Sequence, residues 1–130
     1  MIKAMGLLKK KEEISLDEFI YYLKRSRSEV GDRTMQSVGA LRYCRRFIKP
    51  VVNPYTGEAP ASPFDVIVEF WFPDQAAFDA VFDPENGIVA GAMSEEFVAD
   101  EERFFDREAN RLVLVVEEHE SDLTGKMEVS

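Results

Sequence analysis

The stretch FDVIVEFWFP, residues 64–73, limits the possible folds more than any other part of the chain. Its β-branched and aromatic residues lie between Pro63 and Pro73, which marks a strand. Successive strand side chains point to opposite faces. Asp65, Ile67, Glu69 and Trp71 therefore share one face, and Val66, Val68, Phe70 and Phe72 the other. Both faces are apolar enough to need cover, so a sheet built on this strand must be packed on each side. Glu69 is the anomaly, a carboxylate between Ile67 and Trp71.

The rest of the chain supplies an order of elements. Residues 2–9, IKAMGLLK, read as a first strand. Ser15-x-x-Glu18 is a capping box, and Leu16, Phe19, Ile20 and Leu23 follow at helical spacing, with Gly31 as the expected stop. Residues 40–49, ALRYCRRFIK, make a second strand with Leu41, Tyr43, Arg45 and Phe47 on one face. Residues 50–63 form a long proline-rich loop, of the kind that often borders sites. After the strand at 64–72, Asp74 is expected to cap a helix that ends before Pro84. Further helical turns run from 87 to 105, with Phe97, Val98, Phe104 and Phe105 facing inward. Residues 111–119, RLVLVVEEH, read as the fourth strand. The order β-α-β-β-α-β is that of a ferredoxin-like α+β fold: a four-stranded antiparallel sheet with helices on one face. The expected division is one domain over 1–119 and a flexible tail over 120–130. The uncovered face is expected to meet a second copy, giving a homodimer.

Composition removes several function classes. The chain has 130 residues, 45% hydrophobic, and no run of 18 apolar residues, so neither disorder nor a membrane partner is expected. The opening MIKAMGLLKKKEE charges too early for a secretory signal, and with a single cysteine the expected compartment is the cytoplasm. Residues 1–50 carry 12 basic against 6 acidic residues, a balance of +6, within a chain of net charge −9. That asymmetry is read as basic and acidic elements lying side by side. No nucleic-acid partner is expected, because net acidity repels phosphate. No metal-ligand spacing, phosphate loop or nucleophile elbow is present, and neither a metal nor another cofactor is expected.

In this order the elements resemble the EthD family of dimeric α+β barrel proteins, over roughly residues 1–119. The resemblance rests on MIKAMGLLKKK before Ser15-Leu-Asp-Glu-Phe19, on Phe19-Ile-Tyr-Tyr22 and on Leu41-Arg-Tyr43. It rests also on Asp65-Val-Ile-Val-Glu69-Phe-Trp71, on the acidic Asp100–Asp106 segment and on Val116-Glu-Glu-His119. It implies a homodimer whose sheets form a barrel, with a pocket between each sheet and its own helices. It implies chemistry without a cofactor on small aromatic or polyketide-like molecules. Where such proteins commonly carry histidines, this chain has Arg27 and Phe47, so histidine acid–base chemistry and a haem site are not expected.

On this reading the face bearing Asp65, Ile67, Glu69 and Trp71 lines the pocket, and Glu69 holds or delivers a proton, unless an arginine such as Arg45 or Arg27 pairs with it. Arg27 falls on the apolar stripe of the first helix and needs an anion, either Glu69 or a substrate oxyanion. Tyr43 shares a face with Arg45 and is a candidate proton donor. Tyr55 is placed to close over a ligand from the loop, and His119 to serve at a strand end or a dimer interface. The leading expectation is a cofactor-independent lyase or isomerase acting by dehydration, hydration, decarboxylation or cyclisation. The alternatives are an anthrone-type oxygenase and a non-catalytic binding protein for a hydrophobic metabolite.

Overall fold

The computed structural model describes residues 1–91 and 95–125, with the side chains of 26–30, 95–98 and 100 outside that description. Its four strands are β1 (Ile2–Leu8), β2 (Arg42–Phe47), β3 (Val66–Phe72) and β4 (Arg111–Leu114). They form one sheet in the order β2-β3-β1-β4, and every pair is antiparallel. This is the ferredoxin-like α+β arrangement that the element order implies.

The first helical hairpin arm comprises α1 (Leu16–Tyr22), a π-helical turn (Leu23–Arg27) and α2 (Ser28–Ser37). Ser15 Oγ accepts from Glu18 N at 3.1 Å and starts α1 as the capping box requires. The expected stop at Gly31 is not one, because α2 runs through it. The arm ends at Gly39, whose φ of 73° no β-carbon opposes. Gly39 N donates to Gln36 O at 3.1 Å and Ala40 N to Met35 O at 3.0 Å, the Schellman pair. Gly31 serves packing instead: a β-carbon there would lie 2.6 Å from the Tyr43 hydroxyl oxygen.

Beyond β3, α3 (Gln75–Phe82) starts as expected, with Asp74 Oδ1 accepting from Ala77 N at 2.9 Å. Then follow a short α4 (Ile88–Gly91) and α5 (Glu95–Phe104). Of the inward residues expected here, Phe105 is buried and Phe104 partly so, while Phe97 and Val98 lie outside the described side chains. The end of α5 is tied to the end of β1: Lys11 N donates to Phe104 O at 2.8 Å and Asp106 N to Lys9 O at 2.9 Å.

The core lies between one sheet face and the helices. Val66, Val68, Phe70 and Phe72 of β3 are buried there with Phe19, Met35 and Val81 of the helices. Edge-to-face rings join the layers, Phe70 to Phe82 at 5.2 Å and Phe72 to Phe78 at 5.8 Å. The fourth strand is shorter than the sequence implies. Pairing with β1 ends at Leu114, apart from Val115 N donating to Lys3 O at 2.9 Å, and Val116 is 96% exposed. His119 is exposed beyond the strand rather than at its end, and residues 126–130 of the tail lie outside the described residues.

Candidate functional site

Register decides which side chains reach the helices. In the β2–β3 pair, Tyr43 faces Phe70, Arg45 faces Val68 and Phe47 faces Val66. All of these point to the helix side. Arg42 faces Trp71, Cys44 faces Glu69 and Arg46 faces Ile67, on the open side.

This corrects the expectation that Asp65, Ile67, Glu69 and Trp71 line a pocket under the helices. That face is the open one, because the partner set of Val66, Val68, Phe70 and Phe72 fills the interface with the helices. Glu69 is held there by two guanidinium groups, Arg42 Nε at 2.7 Å and Arg46 Nη1 at 3.0 Å. Arg45, one of the expected partners, lies on the other face, and the two β2 arginines that share the face of Glu69 hold it, while the side chain of Arg27 lies outside the described ones. Trp71 is framed by cations, with Lys3 Nζ 4.3 Å and Arg42 Cζ 5.1 Å from its ring centroids. A carboxylate sits between two apolar residues because two arginines of the neighbouring strand β2 pair with it. Asp65 does a structural job: its Oδ2 accepts from Lys10 N at 2.9 Å and lies 3.3 Å from Lys9 Nζ.

On the helix side there is a cavity of about 220 Å³. The sheet contributes Val68, Phe70, Leu8, Tyr43 and Arg45 to its wall. The π-helical turn contributes Leu23, α2 contributes Gly31, Thr34 and Met35, and α3 contributes Val81 and Phe82. Ile88 and Val89 of α4 lie at its rim and remain partly exposed. Glu101, Phe105 and Asn110 complete the wall. An engineered cavity of about 150 Å³ holds benzene, so this volume suits a substituted single ring.

The polar edge of the cavity is on β2. The Tyr43 ring stacks on Phe70 with centroids 5.4 Å apart, and Arg45 Cζ lies 4.5 Å over the Tyr43 ring. Arg45 Nη2 is 3.6 Å from Asp32 Oδ1, and its Nη1 is buried with no hydrogen-bond partner among the described residues. At the other end Asn110 Oδ1 accepts from Lys9 N at 2.9 Å, and Glu101 lies 3.3 Å from Arg107 Nε.

Two of the residues singled out from sequence, Tyr43 and Arg45, thus meet at one cavity. The others are elsewhere. Tyr55 is 95% exposed, in a loop whose turn is closed by Asn53 and is not part of the cavity wall. The backbone of Arg27 belongs to the π-helical turn, and its side chain lies outside the described ones. Sequence reasoning missed Thr34, Glu101 and Asn110. Only Gly31 carried a signal, as a glycine inside a helical stretch, where it normally needs a packing reason.

The match to a known family covers this same framework. The model of the EthD domain fits residues 11–108, from the turn after β1 to the segment after α5. The chain belongs to the EthD family. The EthD segment holds the α1–α2 arm, β2, β3 and the α3–α5 helices, and therefore all of the cavity wall except Leu8 and Asn110. The comparison with curated proteins finds no match. Among the described residues, no helix is long and apolar enough to cross a membrane.

Proposed function

We propose that this EthD protein binds a small, largely apolar molecule between its sheet and helices and catalyses a cofactor-independent reaction of lyase or isomerase type there. The observation that carries the reading is an apolar chamber with a single tyrosine–arginine stack on its sheet wall. Apolar walls give shape selection, and a few fixed polar groups give orientation. Tyr43 is the proton donor, since a phenol both donates and accepts and its ring is fixed between Phe70 and Arg45. Elimination, hydration and tautomerisation all need such a group at the reacting oxygen.

The open sheet face belongs to the same proposal. Met5, Leu7, Ile67 and Trp71 there are only half-buried within one chain. A second copy covers them, so the working unit is a homodimer.

The test is a panel of small aromatic and polyketide-like hydroxy and keto compounds, followed for binding by calorimetry and for turnover by absorbance and mass. Tyr43→Phe should lower turnover by about 10²–10⁴ and change affinity little, the usual worth of a general acid. Equal turnover in the two proteins would remove Tyr43 from the mechanism. Binding without turnover across the panel would make the protein a carrier of hydrophobic metabolites.

A further inference from the structure

We infer that the ligand carries one carboxylate, and that Arg45 is the residue that selects it. The inference rests on the reading of the cavity as a small-molecule site and adds the class of molecule it takes.

Arg45 is pinned but not satisfied. Its guanidinium lies over Tyr43, which in turn stacks on Phe70, so its position is set by the core. Its one ion pair among the described residues is long, 3.6 Å from Nη2 to an Asp32 side chain that is 55% exposed. Its Nη1 is buried with no hydrogen-bond partner among the described residues, while the residue forms part of the cavity wall. A buried cationic donor without an acceptor is costly. A carboxylate is the acceptor whose geometry fits, because two parallel N–H···O bonds match the planar fork. The surrounding Val68, Phe70 and Leu23 lower the local dielectric and strengthen such a bond.

The far end of the cavity limits the ligand to one such group. Asn110 lies there, just before β4 and three strand spacings or on the order of 14 Å across the sheet from β2, and Glu101 of α5 shares the cavity wall. Glu101 already holds Arg107 Nε at 3.3 Å, so a second carboxylate directed that way would meet a carboxylate whose counter-charge is engaged. The ligand is therefore a monocarboxylate on a single ring or a comparable apolar frame, with a neutral or hydrogen-donating far end.

The experiment titrates the full chain with benzoate, with its neutral isostere benzamide, and with terephthalate, which adds a second carboxylate opposite the first. Benzoate should bind at least about fivefold tighter than benzamide, the margin between a charge-assisted and a neutral hydrogen bond. Terephthalate should bind more weakly than benzoate. Arg45→Met should abolish the preference for benzoate, lowering benzoate affinity several times more than benzamide affinity. Asp32→Asn should raise benzoate affinity, because it removes the carboxylate that competes for Arg45. Benzamide binding as tightly as benzoate to the unaltered protein would overturn the inference and leave the cavity reading standing. So would a benzoate preference that survives Arg45→Met. If neither benzoate nor benzamide binds at millimolar concentration, the small-molecule reading falls, and this inference with it. Should Arg45→Met fold poorly, the benzoate–benzamide comparison and Asp32→Asn still decide.

Discussion

Gly31→Ala sets two opposed effects against each other at the cavity wall. Alanine is favoured over glycine inside a helix by about 1 kcal/mol, and Gly31 is interior to α2. Against this, the new methyl carbon would lie 2.6 Å from the Tyr43 hydroxyl oxygen and 3.1 and 3.2 Å from ring atoms Cε2 and Cζ. Tyr43 has little room to retreat, since one ring face meets Phe70 at 5.4 Å and the Arg45 guanidinium lies 4.5 Å away. Forcing a carbon into such a contact typically costs about 1–3 kcal/mol. The clash therefore wins, and a net loss of about 1 kcal/mol is expected. For a domain of this size that lowers the melting temperature by roughly 3–5 °C. Tyr43→Phe removes the closest atom and should recover part of the loss, with a coupling of about 0.5–2 kcal/mol in a double-mutant cycle. Thermal melts of the four proteins measure this, and benzoate titration of the same samples reports whether Arg45 has moved with Tyr43. A variant stabilised by the full helix-propensity gain, uncoupled from Tyr43→Phe, would refute the packing described for Gly31 and Tyr43.

Other substitutions address other parts of the molecule. Glu69→Gln should leave affinity at the cavity within about twofold, because Glu69 lies on the opposite sheet face; a tenfold loss by calorimetry would contradict the assignment of faces. Gly87→Ala would bring a β-carbon within 2.6–2.7 Å of Asp83 and Val81 backbone atoms at the start of α4. The expected result is a loss of about 1–3 kcal/mol, seen in denaturant melts, together with weaker ligand binding as Ile88 and Val89 shift. Sedimentation at micromolar concentration should give twice the 14.9 kDa chain mass; a stable monomer would show that the open face needs no second copy.

Much of the architecture is legible because local signals and global order agree. Ser15 and Asp74 mark helix starts by a mechanism that survives folding, a side-chain oxygen accepting an otherwise unpaired backbone N–H. Strand existence follows from β-branched runs between prolines. Boundaries set by tertiary contact are harder to read. Gly31 looks like a helix end until Tyr43 is known to need its space, and Gly39 acquires its role only once Met35 and Gln36 offer carbonyls to the turn. The last strand reads on to residue 119, yet its partner β1 begins at Ile2, opposite Val116, so pairing cannot reach 119, and the ladder itself ends at Leu114.

The candidate site was half legible for a related reason. Tyr43 and Arg45 share a face by alternation, and that holds in any register. The side Glu69 takes is not legible, because β3 is apolar on both faces and alternation alone cannot say which set meets the helices. The arginines carry the missing information. Arg42 and Arg46 flank Cys44 on one face of β2, and Cys44 faces Glu69. A carboxylate placed opposite the midpoint of two arginines on the neighbouring strand has its counter-charges within reach and needs no pocket to explain it. That inference requires the β2–β3 register, which an eighteen-residue connection from Ile48 to Asp65 does not specify as a tight turn would. With that register, the face of β3 opposite Glu69 is the one that meets the cavity. There Arg45, next to Val68 and stacked on Tyr43, is the basic residue of β2 that forms part of the cavity wall.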